Sequence, residues 1–122
     1  MTDDQRLSGR RVLIVEDDYY LAMDAEDWLR RAGAEVLGPV PDEQSATDFL
    51  SGGTVDCAVL DINLGNGPSF EIAARLQAAN VPFVLATGYD AAAVPRAFCD
   101  VPRLEKPFRE SELISAVQRL AG

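Results

Sequence analysis

The chain has no histidine. That removes His-ligated metals, Ser-His nucleophile pairs and a phosphohistidine of its own. Any metal held here has to be held by oxygen, which favours Mg²⁺, Ca²⁺ or Mn²⁺. Cysteine is scarce. Cys57 lies inside an apolar run, Cys99 in an expected loop, and no C-x-x-C occurs. Two incidental thiols suit a reducing compartment rather than a disulfide framework, so the cytoplasm is the expected location. Basic residues are few: 11 Lys and Arg against 20 Asp and Glu leave a formal net charge of −9. This argues against nucleic acid as a direct partner, because phosphate backbones are met by clustered Lys and Arg. There is no charged-then-apolar leader, and no apolar run of the roughly 18 residues that a membrane helix needs, so neither a signal peptide nor a membrane span is expected.

What remains is 122 residues, 48% hydrophobic and 25% charged, the composition of one globular domain with a single core. Residues 1–10 read as a polar lead-in. Arg11–Val15 reads as a buried strand, followed by a helix from Asp18 to Ala32 with Leu21, Ala22, Ala25, Trp28, Leu29 and Ala32 on one face. Glu26–Arg30 and Asp27–Arg31 have the spacing of favourable helix pairs, and Gly33 is a natural stop. A short strand over Glu35–Leu37 is expected to close at Gly38-Pro39-Val40-Pro41. A helix from Asp42 to Ser51 then buries Ala46, Phe49 and Leu50, and Gly52-Gly53 ends it. Val55–Leu60 is continuously apolar apart from Asp56, as in a central parallel strand. Gly65-Asn66-Gly67 reads as a loop, with Pro68 suited to the first position of a helix that Asn80 closes in the left-handed conformation. Phe83–Thr87 and Arg103–Glu105 read as the last strands, and Arg109–Leu120 as the last helix. Between them, the alanines of Ala91–Phe98 favour helix but Pro95 opposes it, so at most a short or irregular fourth helix is expected. The alternation predicts a doubly wound parallel sheet with right-handed crossovers, its core over residues 11–120.

In such a sheet the carboxyl ends of all strands share one edge, where ligands bind. The strand ends deliver Glu16-Asp17-Asp18, then Asp61, then Thr87, then Lys106-Pro107 to that edge. Mg²⁺ takes octahedral oxygen ligands, usually one or two carboxylates with several waters. Asp17 and Asp61 can supply those carboxylates, Glu16 can act through a water, and the backbone carbonyl of Asn63 can turn back to the ion. Acids at a helix start also favour its dipole, and Asp18 fits that role best, as an N-cap outside the metal shell. A carboxylate beside Mg²⁺ can attack an activated phosphoryl group and become an acyl phosphate. Asp61 is the candidate for that attack. Thr87 offers a hydroxyl and Lys106 a point charge to the phosphoryl oxygens. A cis Lys106–Pro107 bond would aim the lysine.

Taken together, Glu16-Asp17, Asp61, Thr87 and Lys106-Pro107-Phe108 resemble the signature of two-component response-regulator receiver domains, over essentially the whole chain from Arg11 to Leu120. The resemblance implies a flavodoxin-like, five-stranded sheet in order 2-1-3-4-5. It implies Mg²⁺-dependent transfer of a phosphoryl group from the phosphohistidine of a sensor histidine kinase or histidine phosphotransferase to Asp61, with Thr87 and Lys106 reading the product. Pro82-Phe83-Val84-Leu85-Ala86-Thr87-Gly88-Tyr89 is further similar to the Pro-Phe-x-Phe-Ala-Thr-Gly segment of the alphaproteobacterial "FAT GUY" single-domain regulators, with Leu85 departing from it. A stand-alone domain with no output domain, monomeric or weakly dimeric, is the expectation.

Two positions depart from the receiver pattern. Gly88 stands where most receivers carry Ala or Ser, and Arg103 stands where many carry Tyr or Phe. Coupling of the threonine to a rotating aromatic is therefore not expected in its usual form. Tyr89 is expected to take over the aromatic's role, with Gly88–Cys99 as the moving element.

Other readings place the chain elsewhere. It can be a phosphorelay carrier or phosphate sink rather than a switch. A phosphatase of the haloacid dehalogenase type also uses an Asp nucleophile with Mg²⁺, but Asn63 stands where its second Asp belongs. A nucleotide-binding module would need a third glycine where Phe70 stands. A scaffold that has lost phosphorylation is disfavoured by the intact Asp17, Asp61, Thr87 and Lys106. The expected protein is thus a signalling switch, not an enzyme acting on outside substrates, and the sequence does not name its downstream partner.

Overall fold

The computed structural model describes residues 6–61, 70–87 and 96–121, with the side chains of Thr87 and Ala121 excepted. Five strands form one parallel sheet: β1 (Arg11–Val15), β2 (Glu35–Val40), β3 (Cys57–Asp61), β4 (Phe83–Thr87) and β5 (Arg103–Glu105), in the order β2-β1-β3-β4-β5. Among the described residues, α1 (Tyr19–Arg31), α2 (Glu43–Gly52) and α3 (Glu71–Ala78) lie between successive strands from β1 to β4, and α4 (Glu110–Ala121) follows β5. This is the doubly wound parallel sheet expected from the strand pattern, in the flavodoxin-like order 2-1-3-4-5 that the resemblance implied.

Burial explains why the central strands are apolar on both faces. Val12, Ile14, Cys57, Val59, Val84, Ala86 and Leu104 meet α1 and α4 on one side of the sheet. Leu13, Val15, Ala58, Leu60, Phe83 and Leu85 meet α2 and α3 on the other. Adjacent residues of each strand feed opposite layers, as the period of two requires.

The helices start and stop where local chemistry dictates. The Asp18 carboxylate accepts the Tyr20 and Leu21 amides and so caps α1, and the Asp42 carboxylate accepts the Ser45 amide at α2. The Glu112 carboxylate accepts the Arg109 amide at 2.7 Å, the return half of a capping box at α4. Two helices end alike. Gly33 (φ +99°) donates to Arg30 and Ala34 to Leu29, while Asn80 (φ +59°) donates to Gln77 and Val81 to Leu76. Both are Schellman stops built on a left-handed residue. The Glu26–Arg30 and Asp27–Arg31 pairs form at 2.9 and 3.2 Å. Being exposed, they contribute roughly 0.2–0.5 kcal/mol each.

Three boundaries differ from the sequence reading. β2 does not close at Leu37 but runs through Gly38-Pro39 to Val40. Leu13 faces Leu37 while Val15 faces Val40, so β2 carries one extra residue, a bulge. β2 is an edge strand, where a proline without an N–H is tolerated, all the more so in a bulge. β3 starts at Cys57 rather than Val55 and includes Asp61. Asp56 is instead held by a reciprocal pair with Arg11, its carboxylate accepting the Arg11 amide at 2.8 Å and its own amide donating to the Arg11 carbonyl. α2 extends one residue past Ser51, to Gly52. The segment before β5 contains a 3₁₀ turn at Arg96–Phe98. Gly65–Gly67, Pro68, Gly88, Tyr89, Ala91 and Pro95 lie outside the described residues.

The bulge generates a prediction. Gly38 sits at φ +92°, and a Cβ there would lie 2.7 Å from the Val40 nitrogen and 3.1 Å from the Ile14 carbonyl oxygen. Gly38→Ala should destabilise the fold by at least about 1 kcal/mol. A urea titration should show it as a lower midpoint at unchanged slope.

Candidate functional site

The site is set by strand register. Val15 pairs with Leu60, so the next residues, Glu16 and Asp61, stand side by side at the carboxyl edge. Asp61 in turn pairs with Ala86, and Thr87 with Glu105, which brings Lys106 to the same edge from the far strand. The Lys106 ammonium lies 2.9 Å from Glu16 Oε1 and 3.1 Å from Asp61 Oδ2. All three side chains are withdrawn from solvent, at 19%, 7% and 4% exposure. Glu16 Oε2 also accepts the Asp18 amide at 3.2 Å, and the Glu16 amide donates to the Val40 carbonyl. Glu16 is thus fixed at backbone and side chain together. The Lys106–Pro107 peptide is cis. Phe108, two residues beyond Lys106, packs edge-on against Trp28 of α1 with ring centroids 6.4 Å apart.

Asp17 is exposed, and its carboxylate joins those of Glu16 and Asp61 with the three ligand oxygens within 4.8 Å of one another. Two of these carboxylates share the Lys106 ammonium, and Asp17 adds a third negative group beside them. Burial, with the hydrogen bond and charge of Asp61, pushes the Glu16 carboxyl up to about 7, against the pull of Lys106. Burial alone would lower Lys106, but its bond to Glu16 and the charges of Glu16 and Asp61 outweigh it, so its net shift is upward and it stays an ammonium. An all-oxygen donor set with surplus negative charge suits a hard divalent cation such as Mg²⁺. Glu16, Asp17 and Asp61 are the residues that would hold it.

Of the residues singled out in the sequence, Glu16, Asp17, Asp61 and Lys106 converge. Asp18 is an N-cap, as expected. The backbone of Thr87 ends β4 beside Asp61, while its side chain lies outside the described residues, as does Asn63. The direct Lys106–Glu16 pair was not anticipated. Its signal is parity: residues 12, 14 and 16, residues 57, 59 and 61, and residues 104 and 106 each continue a series whose earlier members face α1 and α4.

Residues 12–118 match the family of response regulator receiver domains. The chain belongs to that family. The solution structure of SdrG from Sphingomonas melonis Fr1 superposes on this receiver domain with a TM-score of 0.81 at 35% identity, covering 100% of both chains. A response regulator receiver protein from Sinorhizobium medicae WSM419 gives 0.76 at 31% identity, covering 92% of this receiver and 94% of that chain. Among curated proteins, the transcriptional regulatory protein PdtaR of Mycobacterium tuberculosis is 29% identical over 121 residues, which is 96% of this chain and 59% of that protein. TcrA from the same organism is 32% identical over 95% of this chain and 47% of its own length. The receiver thus spans about half the length of these curated relatives. Receiver domains bind Mg²⁺ at an acidic pocket and work with histidine kinases or phosphotransferases in two-component systems. No helix among the described residues is long and apolar enough to cross a membrane.

Two predictions come from this charge balance. Mg²⁺ should stabilise the receiver by mass action, and Asp17→Ala should abolish most of the Mg²⁺-dependent rise in melting temperature. An unchanged rise would place the ion elsewhere. The second concerns pH without metal. Glu16 has a folded pKa of about 7, above its ordinary 4.5. Its contribution to stability is therefore full below pH 4.5 and is lost as pH climbs through 7. In EDTA, the stability of the wild type relative to Glu16→Gln should fall between pH 5 and pH 8, read as the difference in urea midpoints at each pH.

Proposed function

We propose that this receiver is a phosphorylation-controlled signalling switch. In this reading Asp61 accepts a phosphoryl group from the phosphohistidine of a sensor histidine kinase or phosphotransferase in the cytoplasm, and the phosphorylated form acts through protein–protein contact. The observation that supports it is a buried Asp61 carboxylate at a strand end, held 3.1 Å from a half-buried ammonium and flanked by two further carboxylates. One oxygen of Asp61 attacks phosphorus, a P–O bond forms as the P–N bond to the donor imidazole breaks, and the product is an acyl phosphate. Lys106, already within reach of Asp61, pairs with the transferred oxygens as a charge-assisted donor. Thr87 supplies a hydroxyl from the neighbouring strand. When bound, Mg²⁺ contributes charge neutralisation at the phosphoryl oxygens. Asp17 and Asp61, with Glu16 through a water, would hold it, and the backbone carbonyl of Asn63 is the expected further ligand.

The chain in this reading catalyses its own phosphorylation and hydrolysis and turns over no separate substrate. With a radiolabelled phosphohistidine donor and Mg²⁺, Asp61→Asn should lose labelling altogether, while Asp18→Asn, altered only at the helix cap, should label like the wild type. Equal labelling of Asp61→Asn would defeat the assignment.

A further inference from the structure

The net charge is concentrated in one stretch. Residues 16–56 hold 11 acids and 2 basic residues, a balance of −9 equal to that of the whole chain, while the remaining residues hold nine of each sign. That stretch comprises α1, β2 and α2. The large apolar side chains left exposed among the described residues lie there too: Tyr19, Tyr20 and Met23, at 68%, 78% and 48% exposure. All three stand in the first turns of α1. A scattered exposed apolar residue is ordinary, but a cluster marks a contact surface.

Tyr19, Ala22 and Met23 line a groove of about 410 Å³ beside α1, to which β2 and the turn beyond it add Pro39 and Pro41. Its charged groups are Glu16, Asp17 and Glu26, and no basic residue lines it among the described residues. α4 and its lead-in pack elsewhere on α1, Phe108 against Trp28 and Glu110 against Arg31. The groove flank, with Tyr19, Met23 and Glu26 at helix spacing, is a separate surface.

We propose that this groove is the docking site of a basic, apolar segment of a protein partner. An arginine or lysine head there would meet Asp17, Glu26 and the face of the Tyr19 ring. Its aliphatic stem would cover Met23 and the two prolines. Glu26 pairs with Arg30 at 2.9 Å in a partly exposed i,i+4 contact. Such a pair is worth little, so the carboxylate can change partner. A second copy of this chain is disfavoured as the occupant, because two molecules of charge −9 repel each other. The docking needs no phosphoryl group, so it stands apart from the assignment of Asp61.

The probe is a short synthetic peptide with leucines at helix spacing and arginines between them; its twin carries glutamate for each arginine. Met1 and Met23 are the only methionines, so ¹³C-methyl-methionine labelling gives two signals, assigned with Met23→Leu. The basic peptide should shift the Met23 methyl signal to saturation, and the acidic twin should leave it unmoved. Tyr19→Ala and Glu26→Gln should each weaken the basic peptide by about fivefold or more, as loss of an anchor does. Asp48→Asn removes the same charge from an exposed position of α2 outside the groove, and should change affinity by less than about twofold in physiological salt. Equal weakening by Glu26→Gln and Asp48→Asn would mean diffuse attraction and overturn the groove. A Met23 signal unmoved by the basic peptide, or moved equally by both peptides, would overturn it too. A Met23 signal that shifts with receiver concentration alone would make a second copy the occupant and defeat the proposal. The wild-type comparison of the two peptides decides even if a variant fails to fold.

Discussion

The parallel pairing of β1 with β3 holds Val12 against Cys57, Leu13 against Ala58, Ile14 against Val59 and Val15 against Leu60, and the chemistry at the sheet edge depends on it. Both strands are buried on both faces, so a slip of one residue would exchange the side chains meant for the α1–α4 layer with those meant for the α2–α3 layer. It would also move Asp61 about 3.3 Å along the strand relative to Glu16, enough to break the shared contact with Lys106. Apolar packing thus fixes carboxylate positions to a precision that no surface loop would provide. The reciprocal bonds of Asp56 with Arg11 pin the other end of the same pair.

That precision carries an electrostatic cost. Two carboxylates are buried side by side with a third nearby, and one ammonium compensates them. Burial and mutual repulsion push Glu16 toward neutrality. A buried charge network of this kind is weak evidence for stability and better evidence for a task. Surplus negative charge that the fold does not cancel is what gives an incoming cation something to bind.

Much of this was legible in the chain itself. The runs Val12–Val15, Val55–Leu60 and Phe83–Ala86 announce parallel strands, and placing their ends and that of the short Arg103–Glu105 strand on one edge brings Asp17, Asp61 and Lys106 to it. The N-cap role of Asp18 and the left-handed Asn80 follow from residue chemistry alone. The extension of β2 through Gly38-Pro39 was not legible, because glycine and proline signal a turn unless the strand is known to lie at an edge and to bulge. Nor was the start of β3 at Cys57, since the apolar count includes Val55 while the pairing excludes it. The Lys106–Glu16 contact was available in the parity of the strands, but assigning Glu16 a role through water hid it. The match to response regulator receiver domains over residues 12–118 agrees with the resemblance carried by the motif residues.

The irregular edge strands have a consequence for how copies of this molecule meet in a crowded solution. A parallel sheet leaves two open borders, each a template for pairing with another chain. Here one border is β2, whose bulge breaks the regular spacing of hydrogen-bonding groups and whose Pro39 has no amide to offer. The other is β5, only three residues long, with Arg103 and Glu105 exposed on either side of buried Leu104. Neither border presents a long, flat, apolar row. Strand-to-strand aggregation is discouraged at both ends, and at β2 the glycine and proline that do so are the ones that disguise the strand as a turn.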